Sequence, residues 1–220
     1  MLIRTGRRIL CGLNMDDNKD ETQEGTEKQS EEEKAETKRE KRLYEPIRKL
    51  LCGIFGQYIE KPPFPQFQGA PFSQEENPYL ETVGEKRCFS EVLKREFDDD
   101  TLLMIDNERI FPDLVGYVRK KSSNPKEIIV VEIKDKPITL RNIEQARFYQ
   151  EIFSAPFGLL ISSKGISEEK VRFVTKRSVI RGKVIVAQYN ENPYSKFGVF
   201  NINPRFKDSV PEFLKKFCIS

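Results

Sequence analysis

Hydrophobic residues are almost missing from the first part of this chain and recur with regular spacing after it. Residues 14–41 contain only Met15 and Ala35 as apolar positions. Such a segment has no face to bury and is expected to be a disordered or loosely helical lead-in. The chain is therefore divided into a charged N-terminal segment, 1–41, and a folded domain, 42–220. In 42–60, Leu43, Ile47, Leu50, Leu51 and Ile54 recur at helical spacing, which predicts a first helix with Pro46 near its start. A segment with five prolines and three phenylalanines follows, KPPFPQFQGAPFSQEENPY. It reads as a surface loop, a Pro/Phe-rich insert at about 61–80. Ser90 is placed to cap a short helix over 90–97.

Three strands are expected next: 101–106 (TLLMID), a tight turn at Asn107-Glu108, 109–119 (RIFPDLVGYVR), the polar turn KKSSNPK, and 127–134 (EIIVVEIK). The last is rich in β-branched residues. A helix over 139–154 should turn Leu140, Ile143, Ala146 and Phe153 toward the core. FGLLIS (157–162) reads as a buried strand. A helix from Ser167 to Gly182 would carry an Ile166–Val171 staple. KVIVAQY (183–189) is another strand, and VPEFLKKF a terminal helix. The order α-β-β-β-α-β-α-β implies an α/β fold, a mixed sheet flanked by helices.

Composition narrows the chemistry. The chain has no histidine, which removes Ser-His and Cys-His hydrolysis, imidazole bases and His-ligated zinc. Its four cysteines, Cys11, Cys52, Cys88 and Cys218, form no CxxC pair, so zinc ribbons and redox dithiols are not expected. Cys52 is expected in the core of the first helix. Catalysis would have to rest on carboxylates, Lys, Tyr or a hard cation held by oxygen. The net charge of +3 conceals an uneven distribution: 16–42 holds eleven acids and seven bases, −4, which leaves +7 elsewhere. A basic domain suits a polyanionic partner. No apolar run reaches the ~18 residues of a membrane span. The basic start MLIRTGRRILCGL has too short an apolar stretch for a signal peptide, although a mitochondrial-type presequence stays open. The expectation is an intracellular protein, cytoplasmic or nucleoid-associated, with reduced thiols and no membrane contact.

One strand carries charge where charge is costly. In IIVVEIK, Ile129, Val131 and Ile133 share one face, and Val130, Glu132 and Lys134 the other. A carboxylate and an ammonium on an otherwise apolar strand must be paired or hold a metal. The turn centres on Ser122 and Ser123, and positions 113 and 132 are symmetric about that centre. Asp113 is thus expected opposite Glu132, within a residue of register. Two carboxylates so close repel, and a divalent cation relieves the repulsion. With oxygen ligands alone, Mg²⁺ is the natural choice. Lys134 beside it could orient or help deprotonate a water, or neutralise charge on a phosphate.

Pro112-Asp113 followed by Glu132-Ile133-Lys134 resembles the PD-(D/E)XK nuclease superfamily. The element order is similar to its restriction-endonuclease-like α-β-β-β-α-β core, and Gln145-Ala-Arg-Phe-Tyr149 resembles the QxxxY motif of RecB-type nuclease domains. The resemblance covers about 42–162. The tripeptide pattern alone carries little, since [D/E]-x-K occurs five times here. Only Glu132/Lys134 lies in an apolar strand, and Pro112-Asp113 is the only Pro-Asp. The resemblance implies a Mg²⁺-dependent nuclease, with Mn²⁺ able to substitute, acting on nucleic acid and in the first place DNA. It implies Asp113, Glu132, Lys134, Gln145 and Tyr149 as site residues. Glu45 is taken as the first-helix acid, with Glu40, Glu91 and Glu96 as substitutes. Asp113, Glu132, Ile133 and Glu45 are the implied metal ligands. Lys136, Arg141, Arg147 and Lys164 could hold phosphates; Phe64, Phe67 and Phe72 are read first as anchors of the insert to the core, with stacking on bases as the alternative. The run Asp98-Asp99-Asp100 reads as a solvated turn. An iron–sulfur cluster of the RecB-type kind is not expected, because only Cys218 lies late in the chain. The competing function is a non-catalytic nucleic-acid-binding or assembly module. A homodimer and a protein partner for the N-terminal segment stay open.

Overall fold

The computed structural model describes residues 21–57, 78–119, 126–176, 184–191 and 199–218. The chain divides into two compact units, Met1–Thr37 and Lys38–Ser220, slightly earlier than the expected boundary at 41/42. Helix α1 is Glu21–Gly56, so it begins well before Arg42. Of the two readings of the charged lead-in, residues 21–41 take the helical one. Glu, Lys, Gln, Arg and Ala are all good helix formers. Pro46 consequently lies inside the helix and not near its start.

The second unit is built on one six-stranded sheet in the order β1-β2-β3-β4-β5-β6. The strands are β1 (Tyr79–Thr82), β2 (Leu114–Val118), β3 (Glu127–Lys134), β4 (Gly158–Ser162), β5 (Val184–Asn190) and β6 (Val199–Ile202). The first three are antiparallel neighbours; β3, β4 and β5 run parallel; β6 returns antiparallel. The mixed α/β sheet is as expected. The parallel steps are bridged by α4 (Leu140–Ile152) and α5 (Glu168–Lys176), the short helices α2 (Glu91–Lys94) and α3 (Asp99–Glu108) lie between β1 and β2, and two 3-10 helices, Pro204–Ser209 and Glu212–Phe217, end the chain. No helix among the described residues is long and apolar enough to cross a membrane.

Two expectations fail in an informative way. TLLMID is not a strand but the body of α3. The Asp98 carboxylate accepts the Thr101 N–H as an N-cap, and Asp99 and Asp100 occupy the first turn, where acids favour a helix. The acidic run is solvated, as expected, but as a helix start and not a turn. Asn107 and Glu108 belong to the same helix, which ends at Arg109 in the left-handed region, φ 51°. The third antiparallel strand is instead β1, at the end of the segment read as a surface insert. Its approach to β2 depends on Gly116, where an added Cβ would lie 1.9 Å from the Tyr79 carbonyl oxygen. The rest of that insert, with Phe64, Phe67 and Phe72, lies outside the described residues, as do the KKSSN turn and Gly182.

Other elements match their patterns. Ser90 caps α2, and Thr139 with Asn142 forms a reciprocal capping box on α4. The terminal segment forms 3-10 turns where a helix was expected, and β6 was not foreseen. Faces of the central hairpin separate two cores. Leu114, Val118, Ile129, Val131 and Ile133 pack with Leu43, Ile47, Leu51 and Ile54 of α1. Val115, Tyr117 and Val130 pack with Leu93, Ile105 and Phe153. Cys52 is partly buried against the first core, as expected of it.

Candidate functional site

The ladder between β2 and β3 pairs Leu114 with Val131 and Val115 with Val130. One step further the same register sets Asp113 against Glu132. Asp113 lies just before β2 begins, and Glu132 in the last turn of the pleat before β3 ends. Both are buried: Asp113 is 7 % exposed and Glu132 3 %. Alternation along β3 puts Glu132 and Lys134 on one face, opposite Ile133.

The polar atoms are tightly connected. Lys134 Nζ lies 2.8 Å from Glu132 Oε1 and 3.1 Å from Glu40 Oε1 of α1. Asp113 Oδ2 accepts the Ile133 main-chain N–H at 2.6 Å, and Asp113 Oδ1 accepts the Tyr44 hydroxyl. Glu40 and Tyr44 are four residues apart on α1, hence on one helical face. Gly84, in the turn after β1, completes the cradle. Its N–H and that of Val83 donate to the Asp113 carbonyl, and a Cβ there would stand 2.8 Å from Asp113 Oδ1 and 3.0 Å from Asp113 Cα.

Charge in this pocket is out of balance. Burial pushes the Glu132 carboxyl up to about 8, reinforced by the charge of Asp113 and opposed by Lys134. Burial likewise raises Asp113 to about 6 against the pull of Lys134, Tyr44 and the Ile133 N–H. Burial alone would lower the Lys134 ammonium, but the charges of Glu132 and Asp113 outweigh it and hold it above an ordinary lysine. Tyr44 is raised by burial and by Asp113, and so remains a hydrogen-bond donor. Three carboxylates surround one ammonium.

Gln145 and Tyr149 stand together on α4, with Gln145 Nε2 donating to Tyr149 Oη at 3.0 Å. Burial raises the Tyr149 phenol first and the charge of Glu132 second, so this helix face lies within electrostatic reach of the carboxylates. Glu45 is not brought to the site. Its carboxylate is bound by Arg48 at 2.8 Å and by Lys49 at 3.4 Å, and the Arg48 hydrogen bond holds it well below the usual carboxylate range. Glu45 is one residue past Tyr44, a rotation of about 100° around the helix. Glu40, named only as a substitute, is the acid that reaches Lys134. Ile133 enters through its main chain. Glu91 pairs with Lys94, and Glu96 with Lys126. Among the proposed phosphate contacts, Lys136, Arg141 and Lys164 are exposed, and Arg147 is paired with Glu151 at 3.0 Å.

Tyr44 and Gly84 were not anticipated. The i,i+4 spacing from Glu40 could have indicated Tyr44. Gly84 has no sequence signal, because its role depends on which turn lies over Asp113. Among the described residues no group of three or more His, Cys, Asp or Glu side chains is set to hold a metal ion. What the site offers is a pair of buried carboxylates with main-chain and hydroxyl groups around it. That donor set fits Mg²⁺, which keeps several waters and is commonly held by one or two carboxylates. Compared with family models, with curated proteins and with solved structures, the chain matches none.

Proposed function

We propose that this protein is a Mg²⁺-dependent nuclease of the PD-(D/E)XK type, hydrolysing phosphodiester bonds, in the first place those of DNA. The single observation behind this reading is the surplus of buried negative charge at Asp113 and Glu132 beside Lys134. A restriction-endonuclease-like core is consistent with the order α1-β1-β2-β3-α4-β4, once α2 and α3 are taken as an insertion. Asp113 and Glu132 would hold the cation, with Glu40 and the main chain of Ile133 next to it. A bound divalent cation would polarise a phosphate oxygen and lower the pKa of a water. Lys134 stays an ammonium among carboxylates, so its part is to neutralise charge developing on the phosphate and to orient the attacking water. Tyr44 and the Ile133 N–H fix the rotamer of Asp113. Gln145 and Tyr149 present a polar edge toward the same carboxylates and would position the strand.

A second reading, a nucleic-acid-binding or assembly module without catalysis, draws on the same network. Lys134, Tyr44 and the Ile133 N–H already satisfy these carboxylates in part without a cation. Incubation of the purified full chain with linear, circular and single-stranded DNA, with Mg²⁺ or Mn²⁺ and with EDTA, separates the two. Cutting that requires the cation and is lost in Asp113→Ala and Lys134→Ala is the expected result. Cutting that survives Asp113→Ala would place the chemistry elsewhere. DNA binding without cutting on any substrate would favour the binding module.

A further inference from the structure

Beside the carboxylates lies a separate cleft of about 380 Å³, formed where β3, β4 and β5 end. Three cations border it: Arg39 and Arg42 from α1 and Lys164 from the turn after β4. All three are exposed, and among the described residues no acid pairs with them. Arg39 and Arg42 are three residues apart on one helix face, a spacing at which like charges repel in the absence of a counter-anion. The inner wall is formed by Leu43 and Tyr189, but these are 5 % and 3 % exposed, so the surface a ligand meets is mainly polar. One bordering acid, Asp135, is already engaged by the Ser163 hydroxyl at 2.5 Å, while Glu191 stands exposed at the margin.

Cleft and carboxylate site are neighbours on two elements at once. On α1, Glu40 and Tyr44 turn to the carboxylates, and Arg39, Arg42 and Leu43 to the cleft. On the sheet, Lys134 belongs to the first and Asp135 to the second. The cleft also sits at the carboxyl ends of parallel strands, where open α/β sheets bind ligands. Its volume is within the range of small-ligand sites. A ligand that fits a cationic rim over a mainly polar floor carries an anion.

We propose that this cleft is a phosphate subsite: it holds one phosphate of a single strand whose neighbouring phosphate lies at the carboxylates. The guanidiniums of Arg39 and Arg42 and the ammonium of Lys164 take the phosphate. The proposal rests on the nuclease reading for its direction of approach, but binding can be measured without cleavage.

The test is fluorescence anisotropy of the full chain with a labelled, 5′-phosphorylated twelve-residue oligothymidylate in EDTA, across a salt series. Each phosphate contact to a single strand adds ~0.7 to the slope of log K against log salt. Because the three cations share one phosphate, Arg39→Gln/Arg42→Gln should lower the slope by about 0.7 and weaken binding about tenfold. Lys164→Gln alone should lower it by less than the double variant does and weaken binding by a smaller factor. The equal charge change Lys94→Gln/Lys215→Gln, outside the cleft, should leave the slope unchanged. Arg39→Lys/Arg42→Lys should keep most of it. An unchanged slope in both Arg39→Gln/Arg42→Gln and Lys164→Gln would overturn the proposal. Thymidine 5′-monophosphate binding as tightly as the oligonucleotide would overturn the assignment to a strand. A wild type that cuts no DNA, together with a lowered slope in the cleft variants, leaves the subsite standing and removes the nuclease reading. Cutting with an unchanged slope in the cleft variants does the reverse.

Discussion

Strand β3 has a sheltered lysine at each end, and the two behave differently. Lys126, just before the strand, meets Glu96 and lies 4.3 Å from the centre of the Tyr117 ring. Lys134, at the other end, meets Glu132 and Glu40, with Asp113 close by. Both ammoniums are shielded, their side chains 9 % and 12 % exposed. Shielding of a charged pair is therefore not what marks a site on this strand. At Lys126 an acid and a base cancel, and an aromatic face adds a cation–π contact. At Lys134 the acids outnumber the base, so part of the negative charge must be met by protons or by a cation. Surplus charge, not burial, distinguishes a candidate catalytic end from a structural one.

The largest effects should break this contrast outright. Asp113→Ala, Glu132→Gln and Lys134→Ala are each expected to reduce Mg²⁺-dependent cleavage by about 10³-fold, the scale of removing a principal electrostatic group. Lys126→Met should leave the rate within about threefold and lower only the melting temperature, since the group it loses is structural. Initial rates on one DNA substrate, beside thermal melts, measure both. Equal losses at the two lysines would dissolve the distinction.

Stability should follow the surplus charge with a definite sign. Glu132 titrates near 8 in the fold and Asp113 near 6, both above their ordinary values. The native state then binds more protons than the unfolded chain between those values and the ordinary carboxylate range. The metal-free protein should be stabilised by these groups at pH 5 and lose that contribution as pH rises toward 8. Mg²⁺ should restore it, more at pH 8 than at pH 5. Melting curves with EDTA or Mg²⁺ at both values, with Glu132→Gln as the variant in which the pH and Mg²⁺ dependence shrinks, check the claim. A Mg²⁺ effect equal at both pH values would contradict it.

Smaller substitutions sharpen the picture of the cradle. Gly84→Ala puts a Cβ against Asp113 Oδ1 and its Cα. It should cost ~1–3 kcal/mol and reduce cleavage by displacing Asp113, readable as parallel falls in denaturation midpoint and rate. Tyr44→Phe is the mildest. Losing one hydrogen bond to a carboxylate should cost about 1–2 kcal/mol. It should also raise the Asp113 pKa further, so the acidic limb of the cleavage profile moves to higher pH with KM little changed. An unmoved limb would make Tyr44 a packing residue only.

How much of this was legible in the sequence differs from element to element. In β3 a long β-branched run and a short polar turn set both face and register, so Asp113 opposite Glu132 could be read directly. In α4 the apolar spacing of Leu140, Ile143, Ala146 and Phe153 stated the helix. The segment 101–106 could not be read that way. A short apolar run carries no period, and the deciding feature was the Asp98 cap in front of it. β1 was hidden because its place in the sheet depends on the close approach to Gly116, not on an alternation of its own.

What the sequence by itself determined is local: which strand carries charge on an apolar face, which residues oppose each other across a short hairpin, and which segment has apolar residues at helical spacing. These follow from periods of two and 3.6 residues and from turns a few residues long. What only the tertiary structure decided is which distant segment completes the pocket. Glu40 and not Glu45 reaches Lys134, Tyr44 and Gly84 enclose Asp113, and α1 brings Arg39 and Arg42 to the ends of the parallel strands. Those contacts join residues 69 to 94 positions apart or set a turn against a strand, and the rotation of one helix on the sheet selects among them. No local pattern records that angle, because it is fixed by how two apolar surfaces pack.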